Sequence, residues 1–277
     1  MKRTPLFRGT GTAVVTPFNL RGELDLKALA SLVRFQVSGG VEAILPVGTT
    51  GESVTLTEAE QVMVIATVRE RAPRTVKVIA GAGSNSTAKT VQLVRDARRA
   101  GADGVLCVAP YYNKPTQEGF YRHYAAIAES SVVPIIMYNV PGRTASNMTA
   151  ETTLRLARDF PIINGIKEAS ANIEQMMEIL RSRPKGFGVW SGDDSFTFPL
   201  MPLGADGVIS VVSNEVPREF SGMVRLCLAG KYAAALQGDG GLRIDSDPDA
   251  AHVYLATYAE RGARLVPEDE RYLGITP

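Results

Sequence analysis

Short apolar runs alternate with longer amphipathic segments along most of the chain. The apolar runs are TAVVTPF (12–18), VEAILPVG (41–48), VKVIAGAG (76–83), GVLCVAP (104–110), VPIIMYNV (133–140), IINGIKE (162–168), FGVWSG (187–192) and GVISVV (207–212). Each is almost continuously hydrophobic, as a strand buried on both faces of a parallel sheet must be. The segments between them carry apolar residues at helical spacing. After Asp25, the residues Leu26, Leu29, Leu32, Val33 and Phe35 line one face. Thr57 and Glu60 form a T-x-x-E capping box at the head of the next helix. Ser86 or Thr87 caps a third that runs to residue 100, and further helices are predicted over 116–129, 149–158, 172–181, 196–203 and 217–229.

Eight strand–helix units in about 220 residues predict a (β/α)8 TIM barrel over residues 1–230. An open doubly wound sheet fits less well. The glycines of GTGTAV and GAGSNS do not complete the GxGxxG turn of a dinucleotide-binding fold. After about Gly230 the pattern stops. QGDGGLRIDSDPDAA is polar and Gly-rich, and the remaining residues to the C-terminus hold at most one short helix. Residues 231–277 are therefore read as a short, atypical and partly helical C-terminal appendage.

Composition narrows the chemistry. Thirty basic residues against 29 acidic give a net charge of +1, so there is no basic excess to neutralise nucleic-acid phosphates. No apolar run approaches the roughly 20 residues of a membrane span. The N-terminus lacks the continuous apolar stretch of a signal peptide, and the expected location is the cytoplasm. The two cysteines, Cys107 and Cys227, have no metal-ligand spacing, and Cys107 reads as core filling. With only two histidines, His123 and His252, zinc sites rich in His and Ser-His-Asp triads are hard to build.

A barrel of this type puts its chemistry at the C-terminal ends of its strands. Lys167 ends the sixth apolar run there. A strand-end lysine can simply snorkel to water. Near Tyr138 and two threonines, it is also the best nucleophile on offer. A free lysine has a pKa of about 10.4, so on the order of one in a thousand is neutral at pH 7. Desolvation in a barrel mouth lowers that value by two or three units, at a cost of roughly 3–4 kcal/mol. The neutral amine then attacks a ketone to form a Schiff base, and the iminium acts as an electron sink without metal or cofactor. Tyr138 suits proton transfer, with a Thr hydroxyl as relay. The turn of Gly48, Thr49 and Thr50 suits a small carboxylate, and Arg143 offers a bidentate fork for a second one. Each also has an ordinary structural reading: a buried phenol, a tight turn, a solvated loop arginine. Asp193 and Asp194 read as helix capping rather than as a metal pair.

Taken together, in this order and spacing, GTTGE (48–52), YYNKP (111–115), YNVPGRT (138–144), GIKEAS (165–170), SGDD (191–194) and GVISV (207–211) resemble the dihydrodipicolinate synthase/N-acetylneuraminate lyase family of class I aldolases. The resemblance covers residues 7–232. It implies that Lys167 forms the Schiff base with pyruvate and that Tyr138 is the general acid/base. It implies that Thr49 relays protons between Tyr138 and a Tyr112 supplied by a neighbouring subunit. Thr50 would bind the pyruvate carboxylate beside Gly48, and the backbone carbonyl of Ile209 would face the site. Arg143 would hold the carboxylate of L-aspartate 4-semialdehyde, which marks the synthase branch serving lysine and diaminopimelate biosynthesis. No cofactor is implied, and a borrowed tyrosine implies a homodimer or homotetramer.

Two departures stand out. The family's helical segment after the barrel is replaced here by ALQGDGGL and IDSDPDAAHVYL, which puts packing under the barrel and oligomer contacts in question. In the cleft that binds lysine as a feedback inhibitor, Asn85 and Tyr111 are kept. Glu58, Gln61 and Lys89 stand where lysine-sensitive members often carry His or Glu, so strong lysine inhibition is not expected. Two other readings stay open: a pyruvate-dependent lyase acting on another aldehyde, such as a sugar acid, and a catalytically silent barrel.

Overall fold

The computed structural model describes residues 3–237, 241–247, 250–261 and 264–276. Eight parallel strands close into a barrel in chain order: β1 (Gly9–Ala13), β2 (Ala43–Leu45), β3 (Lys77–Gly81), β4 (Gly104–Val108), β5 (Ile135–Asn139), β6 (Ile163–Glu168), β7 (Gly188–Ser191) and β8 (Gly207–Ser210). The ring closes through β8 on β1, with Gly9 opposite Gly207 and Thr12 opposite Ser210. Around it run α1 (Leu26–Ser38), α2 (Glu58–Arg71), α3 (Thr87–Arg99), α4 (Gln117–Ser130), the one-turn α5 (Pro141–Thr144), α6 (Ala150–Asp159), α7 (Ile173–Ser182), α8 (Asp194–Leu200) and α9 (Pro217–Leu228). The capping box forms as predicted, with Thr57 and Glu60 exchanging bonds. Ser86, not Thr87, caps α3.

Period-two alternation divides each strand between two cores. Ala43, Leu45, Ile79, Leu106, Ile136, Tyr138, Trp190 and Ile209 form the barrel interior. Ile44, Val78, Val105, Met137, Ile166 and Val189 pack outward under the helices, and Cys107 is buried among them. The interior is closed by aromatic stacking of Phe7 on Trp190, ring centroids 4.9 Å apart. Room for the indole comes from glycine: a Cβ on Gly165 would stand 2.5 Å from Trp190 Cζ3.

Three expectations need correction. The first strand lies at Gly9–Ala13, upstream of the 12–18 run, because Gly9 and Gly11 are strand residues that an apolar pattern does not register. Phe35 is 45% exposed; α1 buries Leu29, Ala30, Val33 and Gln36 instead. The appendage begins with one short helix, α10 (Tyr232–Leu236), but continues as an antiparallel sheet. Its strands are β9 (Gly241–Asp247), β10 (Ala250–Arg261) and β11 (Arg264–Thr276), with β10 in the middle. The expected effects of this segment on packing and oligomer contacts turn on side chains outside the described residues. Among the described residues, no helix is long and apolar enough to cross a membrane.

Candidate active site

Lys167 sits one residue from the end of β6, on the inner face. It is in register with Tyr138 on β5 and Trp190 on β7, so three neighbouring strands deliver three large side chains to one level of the barrel. The lysine is only 4% exposed. Its Nζ lies 4.4 Å from the centroid of the Tyr138 ring. Burial lowers its pKa to about 8; the carboxylate of Asp194 opposes that shift, Arg143 adds to it, and Asp193 opposes it. Burial also pushes the Tyr138 phenol up to about 12, with Arg143 pulling the other way. The phenol therefore stays protonated at neutral pH. Both shifts are of the kind that enclosed reaction sites impose on their titratable groups.

The turn after β2 brings Gly48 and Thr49 to the wall of a cavity of about 150 Å³, which Tyr138 also lines. Val47 holds this turn at φ +52°. Thr50 is half-buried and is not among the cavity's lining residues. Arg143 lies on α5, exposed, within electrostatic reach of both Lys167 and Tyr138. A proline at the first turn of α5 suits its helical start. Ile209 packs its side chain into the barrel interior. Tyr112 is different: it is 88% exposed at φ +70° and does not line its own barrel's cavity, whereas Tyr111 does.

The cleft residues divide as well. Gln61, Lys89 and Tyr111 line the same cavity. Glu58 pairs with the Lys89 amine at 3.7 Å, and Gln61 donates to the Ser53 carbonyl at 2.8 Å. Asn85 donates to Asn113 Oδ1 at 3.2 Å. His123 lies away from the mouth. It shares a 2.9 Å hydrogen bond with Thr87 Oγ1, and burial lowers its pKa to about 4.

The sequence reading passed over one functional-looking carboxylate, Glu168, and took a second, Asp194, for a helix cap. Glu168 follows Lys167 and, by alternation, faces outward, fully buried. It accepts from Asn139 Nδ2 at 3.1 Å, from the Ser170 amide at 2.9 Å and from Gln175 Nε2 at 3.3 Å. Asn139 is bonded in turn to Asn147 at 2.8 Å. This network ties the ends of β5 and β6 together behind the residues that carry Tyr138 and Lys167. Its signal was present: polar Asn139 and Glu168 each follow an inward-facing residue at a strand end. The second is Asp194. Asp193 does cap α8, accepting from the Ser195 amide at 3.0 Å. Asp194 instead turns toward β8 and accepts from the amides of Val211 and Val212.

Residues 6–240 match the model of the dihydrodipicolinate synthetase family. The chain is 52% identical over 230 residues to the 4-hydroxy-tetrahydrodipicolinate synthase of Chlorobaculum parvum, covering 83% of this chain and 78% of that one. The crystal structure of dihydrodipicolinate synthase from Thermotoga maritima superposes with a TM-score of 0.82 at 46% identity, over 84% of this chain and 79% of that one. The chloride-inhibited dihydrodipicolinate synthase of Acinetobacter baumannii, complexed with pyruvate, superposes with a TM-score of 0.81 at 41% identity, over 83% and 79%. With its closed eight-stranded barrel and a buried lysine at the mouth, the chain belongs to the dihydrodipicolinate synthetase family.

Proposed function

We propose that this chain is a Schiff-base lyase of the 4-hydroxy-tetrahydrodipicolinate synthase type. It would condense pyruvate with L-aspartate 4-semialdehyde on the route to diaminopimelate and lysine, in the cytoplasm and without a cofactor. The barrel over 1–230 carries the chemistry, and 231–277 is its appendage. The observation that carries this reading is the Lys167 amine, enclosed over the Tyr138 ring with its pKa lowered to about 8 by burial. At pH 7 about one such amine in ten is neutral, ~200-fold more than for a free lysine.

The neutral Nζ attacks C2 of pyruvate to give a carbinolamine. Loss of water leaves an iminium, and loss of a C3 proton converts it to an enamine. C3 then adds to the aldehyde carbon of the second substrate, whose oxygen takes up a proton. Attack of that substrate's own amine on C2 closes the ring and frees Lys167. Tyr138, protonated at neutral pH, delivers and recovers the protons through Thr49. Gly48 and Thr50 receive the pyruvate carboxylate beside the Ile209 carbonyl. The exposed Arg143 takes the carboxylate of the semialdehyde. The outward placement of Tyr112 supports its use by a second copy, so the working unit is at least a homodimer, or a homotetramer built from two.

Borohydride reduction in the presence of pyruvate should leave a covalent adduct that peptide mapping assigns to Lys167. A folded, oligomeric protein with no adduct would overturn the reading in favour of a silent barrel. Arg143→Ala should still trap pyruvate while condensation with aspartate semialdehyde falls roughly 100-fold or more, as expected for loss of a bidentate carboxylate partner. Normal condensation by that variant would mean that another aldehyde is the substrate. In the side cleft, Lys89 is already paired with Glu58, and Gln61 with a backbone carbonyl. Free lysine at millimolar concentration should therefore leave the condensation rate nearly unchanged; half-inhibition below that range would refute this.

A further inference from the structure

We infer that Asp194 is the counter-charge of Lys167: its uncommitted carboxylate oxygen compensates the positive charge that Nζ carries as an iminium, and keeps the free amine protonated to a higher pH than burial alone would. The inference rests on the reading of Lys167 as the Schiff-base lysine. Its geometric basis is the way the Asp194 carboxylate is held. Oδ2 accepts from the amide of Val211 at 3.0 Å and from that of Val212 at 2.9 Å, so the side chain is locked between α8 and the end of β8. Oδ1 is buried and accepts no hydrogen bond among the described residues.

A buried, unpaired carboxylate oxygen needs a positive partner to offset its desolvation. Among the described residues Lys167 is the buried cation on which Asp194 acts, at longer range than a direct ion pair. Its stem runs along Gly192, two residues before Asp194: a Cβ built on Gly192 would lie 3.0 Å from both Cγ and Cε of the lysine.

The charged groups facing the amine are few. Asp194 acts on it most strongly, followed by Arg143 and then Asp193. Arg143 is repulsive. Asp193 spends its Oδ1 on the amide and hydroxyl of Ser195, at 3.0 and 2.7 Å. Glu168 faces the opposite side of the strand and is held by Asn139, Ser170 and Gln175. Tyr138 presents only its ring. Forming the adduct converts the neutral amine into an iminium cation, which keeps its charge until the C3 proton is lost, at a nitrogen whose side chain is only 4% exposed. The enclosure that frees the amine would therefore oppose the iminium unless a fixed anion faced it. Asp194 acts through Lys167 and does not touch the reacting carbons, which makes it a positioning residue.

The test is borohydride trapping with pyruvate, as a function of pH, in wild type, Asp194→Asn, Asp194→Glu and Asp193→Asn. The Asn side chain keeps an acceptor for the two backbone amides and removes only the charge. Asp194→Asn should shift the rise of trapping rate with pH downward by about one unit, because the ammonium loses its partner. Above pH 8, where the free amine is neutral, it should also lower the fraction trapped at subsaturating pyruvate about tenfold, because the iminium loses the same partner. Asp194→Glu should restore both, and Asp193→Asn should move both less. If Asp194→Asn lacks a cooperative melt, Asp194→Ser is read in the same way. A well-folded neutral variant with wild-type midpoint and wild-type adduct fraction would overturn the inference. So would an Asp194→Glu variant that fails along with Asp194→Asn. An absence of adduct in wild type would instead reject the Schiff-base reading itself.

Discussion

Lys167→Met is expected to abolish the trapped pyruvate adduct, to lower condensation by ~10⁴-fold or more, and to raise the melting temperature. The gain in stability follows from the same burial that makes the amine useful. In the unfolded chain the lysine titrates at its ordinary 10.5, whereas in the barrel it titrates at about 8. Above 10.5 both states are neutral and burial of the charge costs nothing. As pH falls, the unfolded chain takes up a proton that the folded one resists, and stability drops until about pH 8. At about 1.4 kcal/mol per pH unit, the gap is worth about 3 kcal/mol at neutral pH. For a chain of this length that corresponds to a rise of roughly 6–10 °C. Scanning calorimetry of both proteins checks it. The difference should be full at pH 7 and shrink toward zero as pH rises through 8 to above 10.5. A melting temperature at neutral pH below that of the parent would refute the account of a strained, dehydrated lysine.

The second large effect is expected for Tyr138→Phe, which removes one hydroxyl and leaves the ring beneath the lysine nitrogen. Turnover should fall by ~10²–10³-fold, the usual worth of a positioned acid or base. Stability should change by no more than about 1 kcal/mol, since the interior packing is kept. Because burial places the phenol near 12, the parent's activity should show no limb from tyrosine ionisation across the neutral and mildly alkaline range. A coupled assay of turnover against pH, with thermal melts of both proteins, separates these expectations. Full activity in the variant would remove Tyr138 from the proton path.

The barrel was legible in the sequence because a strand covered on both faces must be apolar almost throughout, and eight such runs punctuated by helices admit few closures. The elements that escaped have physical reasons. Gly9 and Gly11 hid the start of β1, since glycine carries no hydrophobic signal. Phe35 has helical spacing with its neighbours yet stands off the buried stripe of α1. At the site, Lys167 and Tyr138 were readable as polar groups ending apolar strands, and their common level followed from register. Asp194 was not. An acidic pair before a helix reads as capping, and only the fold shows that one carboxylate caps while its neighbour turns inward. Glu168 was hidden for the complementary reason: its partner Asn139 is 29 residues away and meets it only because β5 and β6 are adjacent. Tyr112 and the cleft residues were placed by resemblance alone.

Trp190, whose fit against Phe7 closes the interior, is the single tryptophan of the chain. It stands in register with Lys167, one strand away, and is fully buried. The tryptophan fluorescence of the protein therefore originates from one place, beside the lysine in the barrel interior. No introduced dye is needed for that signal to report on the reaction chamber, and any change in the charge or hydration of the lysine nitrogen on the next strand alters the field around the only indole there is.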